Sequence, residues 1–240
     1  MDGNRRYAKK KKLKDVMEGH EAGCLALMSI FVYCYELGVK FVTAYAFSID
    51  NFKRRPEEVE KLMDLMMQKI QLLTTIVIRF GVRVHFCGNL QLLNSDVRAA
   101  AKKLMEDTCD NSNAVLTICI AYTSTDEIVH AIQQSCEEYY YGDKKCNGTS
   151  GSYYKKKKMM VNLVDLETNM YMAMTPCPDI LIRTGGEDRL SNFLLWQTPC
   201  THLSVMLSLW PEITLWNLVW AVLDFQRNHP YFQKKKKLLL

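Results

Sequence analysis

The sequence holds no C-x-x-C pair, no apolar run long enough to cross a bilayer, no secretory leader and no internal repeat. Each absence removes a class. Nine cysteines (Cys24, Cys34, Cys87, Cys109, Cys119, Cys136, Cys146, Cys177, Cys200) are scattered and odd in number, so neither a zinc site nor a disulfide framework is indicated. Several lie in apolar runs such as VLTICIAY, where a reduced core thiol is expected, and this points to a reducing compartment. The Asn147-Gly148-Thr149 sequon is then accidental. Without a spanning segment, any membrane contact is peripheral. The lysine runs Lys9–Lys12, Lys155–Lys158 and Lys234–Lys237 have no ladder of aromatics among them, so they read as solvated faces or tails. A nucleic-acid-binding module would rest on those lysines and net charge alone, so no nucleic-acid partner is expected.

The 240 residues suit a single domain spanning 1–240, with 48% hydrophobic and 24% charged residues and a net charge of +5. Apolar β-rich runs alternate with helical patterns. Strands are expected at Val39–Ser48, Val82–Gly88, Ala114–Tyr122 and Asp179–Thr184. Between them, Pro56 opens a helix whose stripe is Val59, Leu62, Met63, Met66, Ile70 and Leu73; its first turn carries Glu57 and Glu58. Asp96–Asp107 and TLWNLVWAVLDFQR are further helices. Ser124-Thr125-Asp126-Glu127 carries a capping-box signature. The alternation predicts an α/β fold with a central, mostly parallel sheet flanked by helices. Residues 139–158, rich in Gly, Ser, Lys and Tyr, read as a surface insertion.

In open α/β sheets, ligands gather beyond the carboxyl ends of the strands, so the polar residues following each strand form the shortlist. With Asp2 to Arg6 they place at least six arginines on one rim, which suits a multiply charged anion. In RTGGEDRLSN, Gly185 and Gly186 allow a tight turn whose N–H groups could face phosphate oxygens. Ser191 is expected to cap a helix FLLWQ. The same stretch also reads as a glycine turn closed by an Arg–Glu pair. AFSIDNFKRRP reads either as a functional elbow or as an ordinary loop with Asn51 in a turn. His20 in EGHEAG reads as a loop histidine as readily as a ligand. Asp2 either caps a helix or shares an anionic ligand with Arg5 and Arg6 through a metal.

Taken in order, MDGNRR, GHEAG, YAFSIDNFKR and ILIRTGGEDRLSNFLLWQ resemble the cis-prenyltransferases, and the likeness runs from Met1 to about Arg227. YELGVK, SIDNFKR and AYTSTDEIVHA are most similar to the plant rubber and dolichol branch. The resemblance implies a parallel sheet beside an apolar product tunnel. It also implies sequential condensation of isopentenyl diphosphate with an allylic diphosphate such as farnesyl diphosphate, giving a long-chain cis-polyprenyl diphosphate. Asp2 then matches the catalytic aspartate that helps bind Mg²⁺. Gly3, Asn4, Arg5 and Arg6 match the loop that cradles the allylic diphosphate, with Tyr7 beside it. His20, Ser48, Asp50, Asn51, Phe52 and Arg54 match the second motif, and Arg183, Arg189 and Ser191 the isopentenyl diphosphate pocket. Asn51 is assigned to catalysis by positioning, because a neutral amide is a poor base and a diphosphate oxygen is the better proton acceptor.

The family pattern also has a strand leading into the DGN motif, whereas here Met1 directly precedes it, so Asp2 is expected to sit with few tethers at a terminus. His202 stands where bacterial members carry a second metal-binding glutamate, Val16 where some members carry an arginine, and the C-terminal R-x-G is replaced by QKKKKLLL. His202 and the missing R-x-G resemble eukaryotic catalytic subunits. They imply a heteromeric dimer with a Nogo-B-receptor-like accessory subunit, at the cytosolic face of the endoplasmic reticulum, and weak activity of the chain alone. The competing expectation is a non-catalytic or truncated subunit of such a complex; Asp2 and an intact RTGGEDRLSN weigh against it.

Overall fold

The computed structural model describes residues 1–146 and 161–239. Every recorded strand pairing is parallel. β1 (Phe41–Ser48), β2 (Val82–Cys87) and β3 (Ala114–Tyr122) form a three-stranded sheet in the order β1-β3-β2, and β4 (Ile180–Arg183) pairs with β5 (His202–Val205) in a second. The expected central parallel sheet is therefore present as two parallel blocks. β3 reads as a continuous apolar run because it lies in the middle: eight of its nine residues are buried.

The helices are α1 (Asn4–Lys10), α2 (Val16–Glu36), α3 (Pro56–Arg79), α4 (Ser95–Asp107), α5 (Ser124–Cys146), α6 (Leu163–Thr168) and α7 (Leu215–Leu239). α3 starts at Pro56 as expected and buries Leu62, Met63, Leu65, Ile70, Leu73 and Val77. The main core packs all of these but Leu65 against Val82, Val84, Phe86, Leu116, Ile118 and Ile120 of the sheet and against α4. A second cluster joins Ala26, Ile30 and Cys34 of α2 to Trp210 and Leu218. A third, beyond the other face of the sheet, holds Cys87, Cys119, Tyr122, Met172 and Leu194.

Two local expectations are corrected. The cap of α5 is Thr123, whose hydroxyl accepts from the Asp126 N–H at 3.3 Å. Ser124 is already helical, and Glu127 turns inward with no exposure at all. Nor does Ser191 cap a helix: residues 191–197 form turns, because Ser191, Asn192 and Leu194 have φ of 49°, 58° and 49°. Left-handed backbone cannot propagate a right-handed helix.

Residues 139–146 continue α5, and 147–158 of the expected insertion lie outside the described residues. Eight cysteines among the described residues are free thiols. Among the described residues, no helix is long and apolar enough to cross a membrane.

Candidate functional site

Asp2 is held from several directions. Its N–H donates to Thr184 Oγ1 at 3.1 Å, and the same hydroxyl donates to the Asp2 carbonyl at 2.9 Å. The Trp210 N–H reaches that carbonyl as well, at 2.9 Å. The carboxylate lies 3.5 Å from Arg6 through Oδ1 and accepts from Arg183 at 3.2 Å through Oδ2. The expectation of a sparsely tethered aspartate is thus corrected: Thr184 after β4 and the turn at Trp210 hold it.

Gly3 has φ of 114°, and a Cβ there would sit 2.9 Å from Leu209 Cβ, so only glycine permits this closeness. From it the chain enters α1. Arg6 donates to the Gly185 carbonyl at 2.9 Å, and Tyr7 is half-buried.

Gly185 and Gly186 form the expected tight turn, with φ of 89° and 74°. Their N–H groups do not face outward. They donate to the carbonyls of Ser208 and Met206, both at 2.8 Å, so anion binding on this wall falls to side chains. Arg183 donates to Ser191 Oγ at 2.8 Å and to the Arg189 carbonyl, while its Nε is buried without a partner. Arg189 pairs with Glu187 at 2.6 Å.

The opposite wall is built from the β1 exit and from α2. Ser48 Oγ accepts from the Asp50 N–H at 3.2 Å, and Asn51 Oδ1 accepts from the Ser48 N–H at 3.0 Å, closing a reciprocal cap. Asp50 pairs with Lys53 at 2.6 Å. Phe52 packs edge-on to Phe47 at 4.9 Å. Glu58 gathers two of the candidate arginines, Arg54 at 3.1 Å and Arg5 at 3.9 Å. Arg55 is exposed at the start of α3.

Asn4 and His20 meet at this wall, with Nδ2 and Nδ1 3.4 Å apart. Their other polar ends, Asn4 Oδ1 and His20 Nε2, are buried without partners. A buried polar atom without a partner is costly, so such atoms ask for a ligand. Burial lowers the His20 pKa from its ordinary value, with Arg54 and Arg5 acting the same way and Glu58 opposing them. The neutral ring is therefore favoured. Gly19 and Gly23 explain how α1 comes so near: a Cβ at Gly19 would meet the Asn4 carbonyl at 2.4 Å, and one at Gly23 would meet Asn4 Oδ1 at 2.5 Å. The GHEAG stretch thus contributes a histidine and two close-approach glycines.

Behind Asn4 and His20 an apolar cavity opens between α2, α3 and the sheet. The cavity and the open solvent at its mouth together span about 870 Å³, and Leu27, Phe31, Leu65, Leu73, Leu116 and Ile120 are among its walls. Polar mouth and apolar interior share Asn4 and His20, so a ligand with a charged head and a hydrocarbon tail fits both.

Among the described residues, no three potential metal ligands cluster. Mg²⁺ does not require it, because one carboxylate completed by substrate phosphates is a common arrangement. Asp2 fits that requirement. His202 does not join it: it lies under α7, with Nε2 2.9 Å from Asp224 Oδ2 but off the hydrogen-bond direction, and with Phe225 and Phe232 alongside.

Sequence reasoning missed Thr184 as the residue that ties down Asp2, and Glu58 as the acceptor shared by two arginines. It also missed Glu127, which accepts from Tyr122 Oη at 2.5 Å, the Met172 N–H at 2.9 Å and Gln197 Nε2 at 3.0 Å. No local pattern marks Glu127, since two of its three donors, Met172 and Gln197, come from distant segments.

Residues 1–233 match the model of a prenyltransferase family described as undecaprenyl diphosphate synthase. Dehydrodolichyl diphosphate synthase 6 of Arabidopsis thaliana is 55% identical over 250 residues, covering 100% of this chain and 84% of its own. The human dehydrodolichyl diphosphate synthase complex subunit is 40% identical, over 99% of this chain and 68% of its own. Among solved structures, lavandulyl diphosphate synthase from Lavandula x intermedia, in complex with dimethylallyl diphosphate, superposes with a TM-score of 0.82. It is 25% identical and covers 94% of this chain and 92% of its own.

Proposed function

This chain belongs to the undecaprenyl diphosphate synthase family of prenyltransferases, and within it we propose that the chain condenses isopentenyl diphosphate repeatedly with an allylic diphosphate such as farnesyl diphosphate. The product is a long-chain cis-polyprenyl diphosphate of the dehydrodolichyl or rubber type. One observation carries the reading: an apolar cavity opens at Asn4 and His20, which keep unpartnered polar atoms, and Arg5 and Arg54 lie close enough to His20 to act on its charge.

In each cycle the allylic C1–O bond breaks, the isopentenyl double bond forms the new C–C bond, and diphosphate and a proton leave. Arg5, Arg6 and Arg54 hold the allylic diphosphate, with Gly3, Asn4 and Tyr7 shaping the loop and His20 contacting the head group. Arg183, Arg189 and Ser191 hold the isopentenyl diphosphate. These cations stabilise the charge that develops on the leaving group, which is where preorganised charge matters most. A diphosphate would exchange the arginines' present carboxylate partners for its own oxygens. Mg²⁺, held by Asp2 and by substrate oxygens, would supply further charge neutralisation. Asn51 positions the turn: its Oδ1 is committed to the Ser48 N–H, so it is not a free base. Asp50 and Phe52 complete that turn. A diphosphate oxygen takes the proton.

Assembly is proposed as a heteromeric dimer with an accessory subunit. The human relative is named as a complex subunit, and Leu203 and Val205 of β5 together with Leu207 leave an exposed apolar edge here. Contact with the membrane is peripheral, at the cytosolic face of the endoplasmic reticulum.

The test incubates farnesyl diphosphate, labelled isopentenyl diphosphate and Mg²⁺ with the chain, with and without the accessory subunit, and compares wild type with Asp2→Ala. Labelled long-chain cis product from wild type and none from Asp2→Ala is expected, with a large gain on adding the accessory subunit. A folded chain in complex with that subunit that makes no product would overturn the reading in favour of a non-catalytic subunit.

A further inference from the structure

Tyr45 stands between the two proposed diphosphate subsites. It lies on β1 three residues before Ser48, where the pairing with β3 is irregular: Tyr45 faces Cys119, Phe47 faces Ile120 and Ser48 faces Tyr122. Regular alternation would put Tyr45 and Phe47 on one face. The irregularity sends them to different clusters, Phe47 into the main core beside α3 and Tyr45 into the cluster of Tyr122, Phe193 and Leu194.

There the Tyr45 ring stacks on Phe193, with centroids 4.4 Å apart and planes within 8°. Its hydroxyl donates at 2.8 Å to the carbonyl of Tyr122, the residue paired with Ser48 across the strands. Phe193 also meets Tyr122 edge-on at 5.8 Å.

The loop that carries Phe193 needs support. Ser191, Asn192 and Leu194 are left-handed, a conformation that persists in non-glycine residues only where surroundings over-determine it. On one side, α5 supplies that support. The Ser124 N–H donates to the Asn192 carbonyl at 2.8 Å, Asn192 Oδ1 accepts twice from Thr125 at 3.1 Å, and the Leu195 N–H donates to Ser124 Oγ at 2.9 Å. On the other side, the Tyr45–Phe193 stack joins the loop to β1.

We propose that Tyr45 is a positioning residue: stacked on Phe193 and bonded beside Ser48, it sets the Arg189–Ser191 loop relative to the Ser48–Asn51 turn and so couples the two diphosphate subsites. The inference rests on the prenyl-transfer reading given above. Tyr45 itself touches neither substrate. Its loss shifts Ser191 and the arginine bonded to it, and weakens isopentenyl diphosphate binding while leaving the chemical step intact.

The experiment measures KM for isopentenyl diphosphate and single-turnover rates at saturating substrates, with farnesyl diphosphate and Mg²⁺. The variants are Tyr45→Leu, Phe193→Leu, the double variant and Tyr45→Phe. Each leucine variant is expected to raise that KM about ten-fold, the scale of a lost aromatic pair, with the single-turnover rate within about three-fold of wild type. The double variant should be no worse than either single one, since both remove the same contact. Tyr45→Phe keeps the stack and should restore KM to within about three-fold. Where thermal melts show that leucine unfolds the chain, methionine at either position keeps the volume without the planar stack, and the same KM shift is expected. Unchanged KM with a lowered rate, additive losses in the double variant, or no rescue by phenylalanine would overturn the inference. A wild-type chain without prenyl transfer in the presence of its accessory subunit would instead overturn the functional reading itself.

Discussion

The two walls of the site use their polar groups in opposite ways. On the β4 wall the polar atoms bond to the protein, Arg183 Nε excepted: the Thr184 hydroxyl both accepts from and donates to Asp2, Arg183 reaches Asp2 and Ser191, and the glycine N–H groups go to Ser208 and Met206. On the α2 wall, Asn4 Oδ1 and His20 Nε2 are buried with nothing to bond, in front of an apolar cavity. The difference separates preorganisation from reception. Fixing the β4 wall in advance removes a reorganisation cost from the transition state. The unpaired atoms of the α2 wall are a standing cost that a ligand can relieve.

Charge removal at Asp2 is the largest way to break this comparison. Asp2→Asn keeps the backbone tethers to Thr184 and Trp210 but loses the anion between Arg6 and Arg183. Turnover should fall about 10³-fold, on the scale of deleting a preorganised electrostatic group. The melting temperature should move little. Steady-state assay beside a thermal melt checks both; a large drop in melting temperature would mean that the carboxylate serves structure first.

A change on the other wall is expected to be smaller. In Gly19→Ala the new methyl meets the Asn4 carbonyl, a backbone atom that cannot swing aside. Overpacking of this kind costs about 1–3 kcal/mol. Here it should displace Asn4 from His20, so KM for the allylic substrate should rise more than KM for isopentenyl diphosphate. Equal rises in both would erase the distinction between the walls.

Thr184→Val sharpens the β4 side. It is nearly isosteric but leaves the Asp2 N–H without its acceptor and the Asp2 carbonyl with one donor fewer. A loss of about 1–2 kcal/mol in stability is expected from a buried group left unsatisfied. Denaturant unfolding would measure it, and no change would show that water takes over both bonds.

Much of this contrast could not be read from the sequence, and the reason is range. Local pattern gave β1 to β4, because each is an apolar run, and gave Pro56 as the start of α3. It missed β5, whose four residues HLSV carry no such run. The pattern also singled out the residues after β1 and β4, among them Arg54, Arg183 and Arg189, as candidates to face a ligand. It failed wherever the partner is far away in sequence. Asp2 is fastened by Thr184 and Trp210, and Glu127 takes bonds from Met172 and Gln197. The same holds for the 191–197 turns. FLLWQ has helical composition, but the bonds that α5 makes to Asn192 and Leu195 impose left-handed backbone. Ser124-Thr125-Asp126-Glu127 misled for a related reason: Glu127 bonds inward, so the cap moves to Thr123.

The smallest expected effect is in pH dependence, and it bears on the receptive wall. The His20 pKa is lowered from 6.5, by burial first and then by Arg54 and Arg5, and the His85 pKa is lowered from 6.5, by burial first and then by Arg83. A histidine depressed in the fold binds fewer protons there than in the unfolded chain. Stability from these groups is therefore fully present above pH 6.5 and declines as pH falls below it. His20→Gln should flatten part of the fall in melting temperature between about pH 7.5 and 5.5. Bound diphosphate works in the opposite direction, because an anion beside the ring favours its protonated form. The acid-side decline should therefore be shallower with diphosphate present in wild type, and unchanged by diphosphate in His20→Gln. If diphosphate altered the slope equally in both, the head group would lie elsewhere, and His20 would be a packing residue of α2 and not part of a receptive wall.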